Sequence, residues 1–323
     1  MKKTIKEYLL DWIKYYNVLI VTNKSRKSAS EIWDNWEKDG VKRPDIDSIA
    51  DNISNSDNLF FKELTSISSE IINRELNISY LAFITLGYDF AAVTAADGYI
   101  VLVDDAFFSL TFFIICAAYT IAQTEISEAT KELIRREIRE VAVIGYKEKE
   151  FITFNDMPNL FQLLGEGYNN AEASNYLFNS VRIFILGHEI GHHVFEHENG
   201  SEHVRYAIGG REIDFKIDKR SWADEFEADD FGYQVFLGAL DTTKERPQTY
   251  LEFRFPFAPL VFFEICDRID WMKKAQKVRN SSTHPSFEQR KETLVKKYSI
   301  DTQDPLYLEI EKALDFLLDS HNG

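Results

Sequence analysis

The sequence is poor in the residues that mark disulfide-rich, disordered or nucleic-acid-binding chains. Only two of its 323 residues are cysteines, Cys116 and Cys266, which excludes a disulfide framework and predicts that both are buried as small apolar side chains. The 7 prolines and 14 glycines are too few for a low-complexity chain. A hydrophobic content of 45% predicts instead a folded protein with a sizeable core.

Positive charge is also scarce. Lys and Arg number 37 against 53 Asp and Glu, so the formal net charge is −16. Phosphate backbones repel such a chain, and nucleic acid is therefore not an expected partner. The N-terminal segment has neither an uninterrupted apolar stretch nor a small-residue cleavage site, which argues against a signal peptide. Together with the scarcity of cysteine, this predicts a cytoplasmic protein.

Residues 106–122 form an uncharged hydrophobic run at the short edge of membrane-span length. Its flanks carry Asp104, Asp105 and Glu125, and they supply none of the Lys or Arg anchors that are typical of a span. The pattern favours a helix buried in a core, and a membrane-associated protein is the alternative.

The remaining pattern predicts an α+β fold dominated by helices. Runs rich in β-branched and aromatic residues at 78–86, 90–95 and 99–103 indicate a small antiparallel sheet, with a hairpin turn at Ala96–Gly98. Helices are expected over 106–122, from about 127, and over 171–198, 222–240, 259–274, 285–298 and 305–319.

Two helix starts, one irregular segment and one division of the chain into two regions complete this prediction. Pro285 and Pro305 are expected in first turns, and residues 146–170 are expected to be irregular. Residues 1–75 are expected to form a helical N-terminal region of unknown role, separate from a domain at 76–323.

Residues 188–192 read H-E-I-G-H, an H-E-x-x-H motif on a predicted helix. Positions four apart project side by side, because a helix has 3.6 residues per turn, so His188 and His192 can share one metal ion. Glu189 is close enough to take a proton from a zinc-bound water, whose pKa falls toward about 7. An overlapping H-x-x-E-H pattern, His193 to His197, lies on a different face and cannot share that ion.

A catalytic zinc site needs a third protein ligand and an open position. Residues 225–229 read E-x-x-A-D, and together with H-E-x-x-H this resembles the gluzincin metallopeptidases, notably the CaaX-protease/HtpX type and the Lit-type phage-exclusion peptidases. The resemblance implies Glu225 as third zinc ligand and Asp229 as the residue that orients a ligand histidine. Asp224 and Glu227 lie on other faces of the helix and are weaker alternatives.

The same resemblance covers residues 282–290, which read like the T-H-P…R segment of HtpX-type enzymes. It implies that His284 steadies the oxyanion of the tetrahedral intermediate and that Arg290 supports it. An ordinary helix start, with Arg290 on the surface, is the alternative. The resemblance also implies a gluzincin-like catalytic domain, with a small antiparallel sheet beside the active-site helix and a strand near 99–108 that pairs with an extended substrate.

These motifs predict a zinc-dependent endopeptidase that hydrolyses a peptide bond in a cytosolic protein by attack of a zinc-bound water that Glu189 activates. The resemblance adds a setting in bacterial stress response or phage defence. A zinc-binding regulatory or sensor module without proteolysis is the alternative from another class. Structural zinc is usually closed by four ligands, often cysteines, and neither cysteine lies near the motifs.

Overall fold

Helices dominate the described part of the chain. The computed structural model describes residues 4–7, 38, 59–83, 90–147, 157–166, 168–196, 201–208, 211–218, 221–245, 255–275 and 285–318. The helices are α1 (Leu59–Ile72), α2 (Asp105–Gln123), α3 (Glu128–Lys147), α4 (Pro158–Glu166), α5 (Tyr168–Val194), α6 (Trp222–Glu245), α7 (Ala258–Ala275), α8 (Phe287–Tyr298) and α9 (Pro305–Leu318). The strands are β1 (Ile78–Phe83), β2 (Phe90–Thr94), β3 (Tyr99–Asp104), β4 (Ser201–Ile208) and β5 (Arg211–Asp218).

The first three strands form a mixed sheet in the order β1-β3-β2. The predicted hairpin is confirmed, since β2 and β3 pair antiparallel and the Ala95 amide donates to the Gly98 carbonyl at 2.8 Å. The prediction of an antiparallel sheet is wrong for β1, which pairs parallel to β3. The Tyr99 amide donates to the Asn77 carbonyl, so β1 and β3 start side by side, an arrangement that residue patterns within each strand do not encode.

β3 is the central strand of this sheet, with a hydrogen-bonded neighbour on each side. Ile100, Val101 and Val103 are buried on its two faces, as expected for a central strand. The resemblance placed a substrate-pairing strand in this segment. That expectation is wrong for β3, because a peptide can add only to a strand with a free edge.

The uncharged run at 106–122 is confirmed as a helix, α2. It lies inside the core, where Ile114, Ile115 and Ala117 are fully buried, and it packs against α5 and α9. Among the described residues, no helix combines the length and apolarity that crossing a bilayer requires.

In two stretches the structure differs from the prediction. Residues 158–166 form α4 inside the segment expected to be irregular, because buried Glu137 of α3 accepts from the Asn159 amide at 3.0 Å and the Leu160 amide at 3.1 Å. The Glu137 side chain belongs to a different helix and accepts hydrogen bonds from the backbone amides at the start of α4. The local sequence around α4 cannot show such a contact. The antiparallel pairing of β4 with β5 was not predicted.

The structure shows where the two C-terminal helices begin. Pro305 is the first residue of α9, as predicted. Pro285 lies before α8 instead of in its first turn, because Ser286 is the N-cap and forms a capping box with Gln289.

Helix α1 packs on α5 and α6. Leu64 and Ile67 belong to the same hydrophobic cluster as the buried residues of α2 and α5. The division of the chain at 75/76 stays a prediction.

Candidate metal centre

The site is built where α5 and α6 cross at close range. A side-chain carbon at Gly232 of α6 would lie 2.8 Å from the His188 backbone nitrogen and 2.9 Å from the Phe184 carbonyl oxygen of α5. Gly191 of α5 would meet the Ala228 Cα at 3.1 Å. Residues this small let the two backbones approach, so short side chains from both helices can reach one point.

His188 and His192 meet at this crossing. They are 6% and 4% exposed, and their Nε2 atoms lie 3.0 Å apart. Two imidazole lone pairs at this separation repel each other unless a proton or a metal ion lies between them. The one-turn spacing of H-E-x-x-H therefore produces the paired nitrogens that the motif predicts.

Glu225 of α6 faces both imidazoles. Its Oε1 lies 3.6 Å from the His192 Nε2 and its Oε2 lies 3.7 Å from the His188 Nε2. Tetrahedral zinc with bonds of about 2.0–2.1 Å separates neighbouring donors by about 3.4 Å. With one carboxylate oxygen toward each imidazole, the two nitrogens and Glu225 are spaced so that they could hold a single divalent ion, and two imidazoles with one carboxylate are among the donor sets that bind zinc.

Glu189 lies beside this triangle. Its Oε1 is 3.8 Å from the His188 Nε2, and ligand-type atoms of His188, Glu189 and His192 all fall within 4.8 Å of one another. Glu189 as a whole residue is only 3% exposed. A buried carboxylate next to the donors is placed to exchange a proton with water there.

Asp229 contacts the other nitrogen of the His188 imidazole. Its Oδ1 lies 2.9 Å from the His188 Nδ1, one turn after Glu225 on the same helix. With the imidazole proton on Nδ1, the Nε2 lone pair points at the crossing, as a metal ligand requires. The structure thus brings together His188, His192, Glu225 and Asp229.

Arg290 reaches the same cluster from α8 and is buried, not on the surface. Its Nε and Nη2 donate to the two Asp229 oxygens at 2.7 and 2.6 Å, and its Nη1 lies 3.1 Å from the Glu225 Oε2. Phe263 and Phe287 pack on the guanidinium at 5.2 and 5.6 Å. Burial opposes the charge of Arg290, but the Asp229 and Glu225 carboxylates outweigh it and raise the pKa of the guanidinium.

The remaining acidic candidates have other positions. Asp224 is buried at the start of α6, where its Oδ2 accepts from the Ser221 backbone amide at 2.6 Å. Glu227 is exposed. His284 lies outside the described residues, so its predicted role at the oxyanion stays a prediction.

The overlapping H-x-x-E-H pattern lacks a continuous helix. α5 ends at Val194, and Glu196 has a left-handed φ of 54°. His193 packs against the Tyr99 ring at a centroid distance of 4.4 Å, and His197 lies outside the described residues. The geometry therefore favours the H-E-x-x-H pair over its competitor.

Comparison with known proteins gives one match. A family model described as Peptidase U49 matches residues 146–310, a segment that spans α5, α6 and Arg290 and makes up more than half of the chain. No curated protein and no solved structure matches. The segment that builds the candidate metal centre is thus the segment that carries the family likeness, and the chain belongs to the peptidase U49 family.

Proposed function

We propose that this peptidase is a zinc-dependent endopeptidase that hydrolyses a peptide bond in a cytosolic protein. The observation that carries the proposal is the convergence of the His188 Nε2, the His192 Nε2 and the Glu225 carboxylate at one buried point, with Glu189 beside it. Three protein ligands and one further position are the composition of a catalytic zinc site, whereas structural sites usually take four protein ligands.

His188, His192 and Glu225 would hold the ion, and Asp229 would keep the His188 imidazole in the required tautomer. Zinc, when bound, is a Lewis acid that polarises a carbonyl and lowers the pKa of water to about 7. Two imidazoles and one carboxylate suit zinc better than magnesium or calcium, which prefer all-oxygen sites.

Glu189 acts as the general base. One of its carboxylate oxygens takes a proton from the water that attacks the peptide carbonyl, and the same carboxyl then returns the proton to the leaving amine. Its burial beside His188 keeps the carboxylate close to the reacting atoms and away from bulk solvent.

The resemblance to the HtpX-type and Lit-type enzymes supports two further parts of the proposal. His284 is the donor that steadies the negative charge developing on the carbonyl oxygen. The biological setting is bacterial stress response or phage defence, an analogy at the level of the family.

The test is a comparison of cells that express the wild type or the Glu189→Gln variant, with new protein N-termini read by mass spectrometry. We expect the wild type to produce at least one new terminus. Glu189→Gln should lower the cleavage rate about 10²–10⁴-fold, because that is the usual contribution of a general base, while the purified variant keeps its zinc.

Glu172→Gln is the matched control, because Glu172 is an exposed residue of the same helix that contacts Tyr176. It should cleave like the wild type. Cleavage by Glu189→Gln at the wild-type rate would remove the general-base assignment.

A further inference from the structure

Arg290 comes from a helix that contributes none of the proposed metal ligands. Of its contacts with α6, two are the hydrogen bonds to Asp229 and the third is the 3.1 Å contact with Glu225. The Nε, Nη1 and Nη2 atoms thus each face a carboxylate of α6. The guanidinium therefore contacts the proposed ligand Glu225 and also Asp229, which in turn contacts the ligand His188.

The guanidinium is also fixed in place by its surroundings. Arg290 is 7% exposed, and the rings of Phe263 on α7 and Phe287 on α8 pack on it. The planar fork matches two carboxylate oxygens in a way that a lysine ammonium cannot. The orientation of the fork therefore determines where Asp229 and Glu225 can lie.

We propose that Arg290 is a positioning residue of the metal centre, which holds Glu225 directly, and His188 through Asp229, in the ligating arrangement. The path is short: Arg290 to Asp229 at 2.6 Å, and Asp229 to the His188 Nδ1 at 2.9 Å, whereas the Arg290 Nη2 itself lies farther from that nitrogen, at 3.4 Å. The inference rests on the proposed function, since positioning matters only if the centre binds metal.

Charge balance supports the same assignment. The carboxylates of Glu189, Glu225 and Asp229 are buried around the two imidazoles, and Arg290 is the guanidinium that contacts two of them. Among the described residues of this cluster, three carboxylates and one guanidinium leave two negative charges, which a divalent cation neutralises. Replacing Arg290 by an uncharged residue would change charge and geometry together, whereas Arg290→Lys keeps the charge and removes the fork.

The experiment measures zinc affinity of the full-length protein by competition with a chromophoric chelator, together with the visible spectrum of the cobalt-substituted protein. We expect Arg290→Lys to bind zinc roughly 10- to 100-fold more weakly, the usual effect of losing an outer partner of a metal ligand. The cobalt spectrum should shift because the coordination geometry changes.

Asp229→Asn is the second variant, and it should weaken zinc binding in the same range. Because the two residues act along one path, the double variant should lose less than the product of the two single effects. Arg135→Lys is the matched control: Arg135 is also 7% exposed, lies 5.2 Å over the Phe316 ring and pairs with Glu132, all within α3 and α9. It should keep the wild-type zinc affinity.

Unchanged zinc affinity and cobalt spectrum in Arg290→Lys would overturn the proposal, even if the variant melts at a lower temperature. Should Arg290→Lys fail to fold, unchanged affinity in Asp229→Asn would overturn it equally. A wild-type protein that binds no zinc would instead contradict the proposed function, so the two failures are distinguishable.

Discussion

At the scale of single residues, buried charges are held by partners on their own helix and on neighbouring helices. Glu264 of α7 is 9% exposed, contacts Arg268 and Lys291, and lies 3.3 Å from the Tyr307 hydroxyl. Burial alone would raise the pKa of its carboxyl, but the hydrogen bonds and charges of Lys291 and Arg268 outweigh burial and lower the pKa. Glu264 thus ties α7 to α8 and α9.

A pH dependence of stability follows from this carboxyl. Because the pKa of Glu264 is lower in the folded than in the unfolded protein, its contribution is complete above the ordinary carboxyl pKa of about 4.3 and is lost as the pH falls through the lowered value. Glu264→Gln should lower the free energy of unfolding by on the order of 2 kcal/mol at pH 7, and the difference from the wild type should shrink in acid. Urea unfolding at several pH values measures both.

Glu309→Gln is the control for this prediction. Glu309 pairs with Lys312 on the surface of α9, where both side chains are at least half exposed. Such pairs contribute little, so the variant should follow the wild type at every pH. A Glu264→Gln variant with wild-type stability at pH 7 would show that the buried contacts add nothing net.

At the scale of elements, the candidate metal centre lies at the close crossing of α5 and α6. Gly232→Ala would place a methyl group 2.8 Å from the His188 backbone nitrogen. Overpacking of about 1–3 kcal/mol outweighs the gain in helix propensity of up to about 1 kcal/mol, so the variant should be less stable. Because the helices must separate at His188, zinc affinity should fall as well.

Gly238→Ala provides the comparison on the same helix. Its new methyl group would lie 2.8 Å from the Ile67 Cγ2 of α1, away from α5. This variant should keep its zinc affinity whatever its stability. Equal zinc affinities for Gly232→Ala and Gly238→Ala would show that the α5–α6 spacing does not control the site.

At the scale of the whole molecule, the sequence predicts the helices and the short motifs better than the way they meet. The H-E-x-x-H spacing needs only helical geometry, so the meeting of His188 and His192 could be predicted. The parallel pairing of β1 with β3 and the hydrogen bonds from the start of α4 to Glu137 depend on contacts between residues far apart in the sequence. They could therefore not be predicted. The position of Arg290 is similar, because its carboxylate partners lie 61 residues or more away along the chain.

We propose that one zinc ion binds between α5 and α6 through two imidazoles and one carboxylate. X-ray absorption at the zinc edge of the purified wild-type protein reports the number and type of these ligands. We expect one zinc per chain with two imidazole nitrogens, oxygen from Glu225 and one further non-protein oxygen, and loss of the carboxylate in Glu225→Ala. A sulfur ligand, a third imidazole, or a spectrum that Glu225→Ala leaves unchanged would be incompatible with this site.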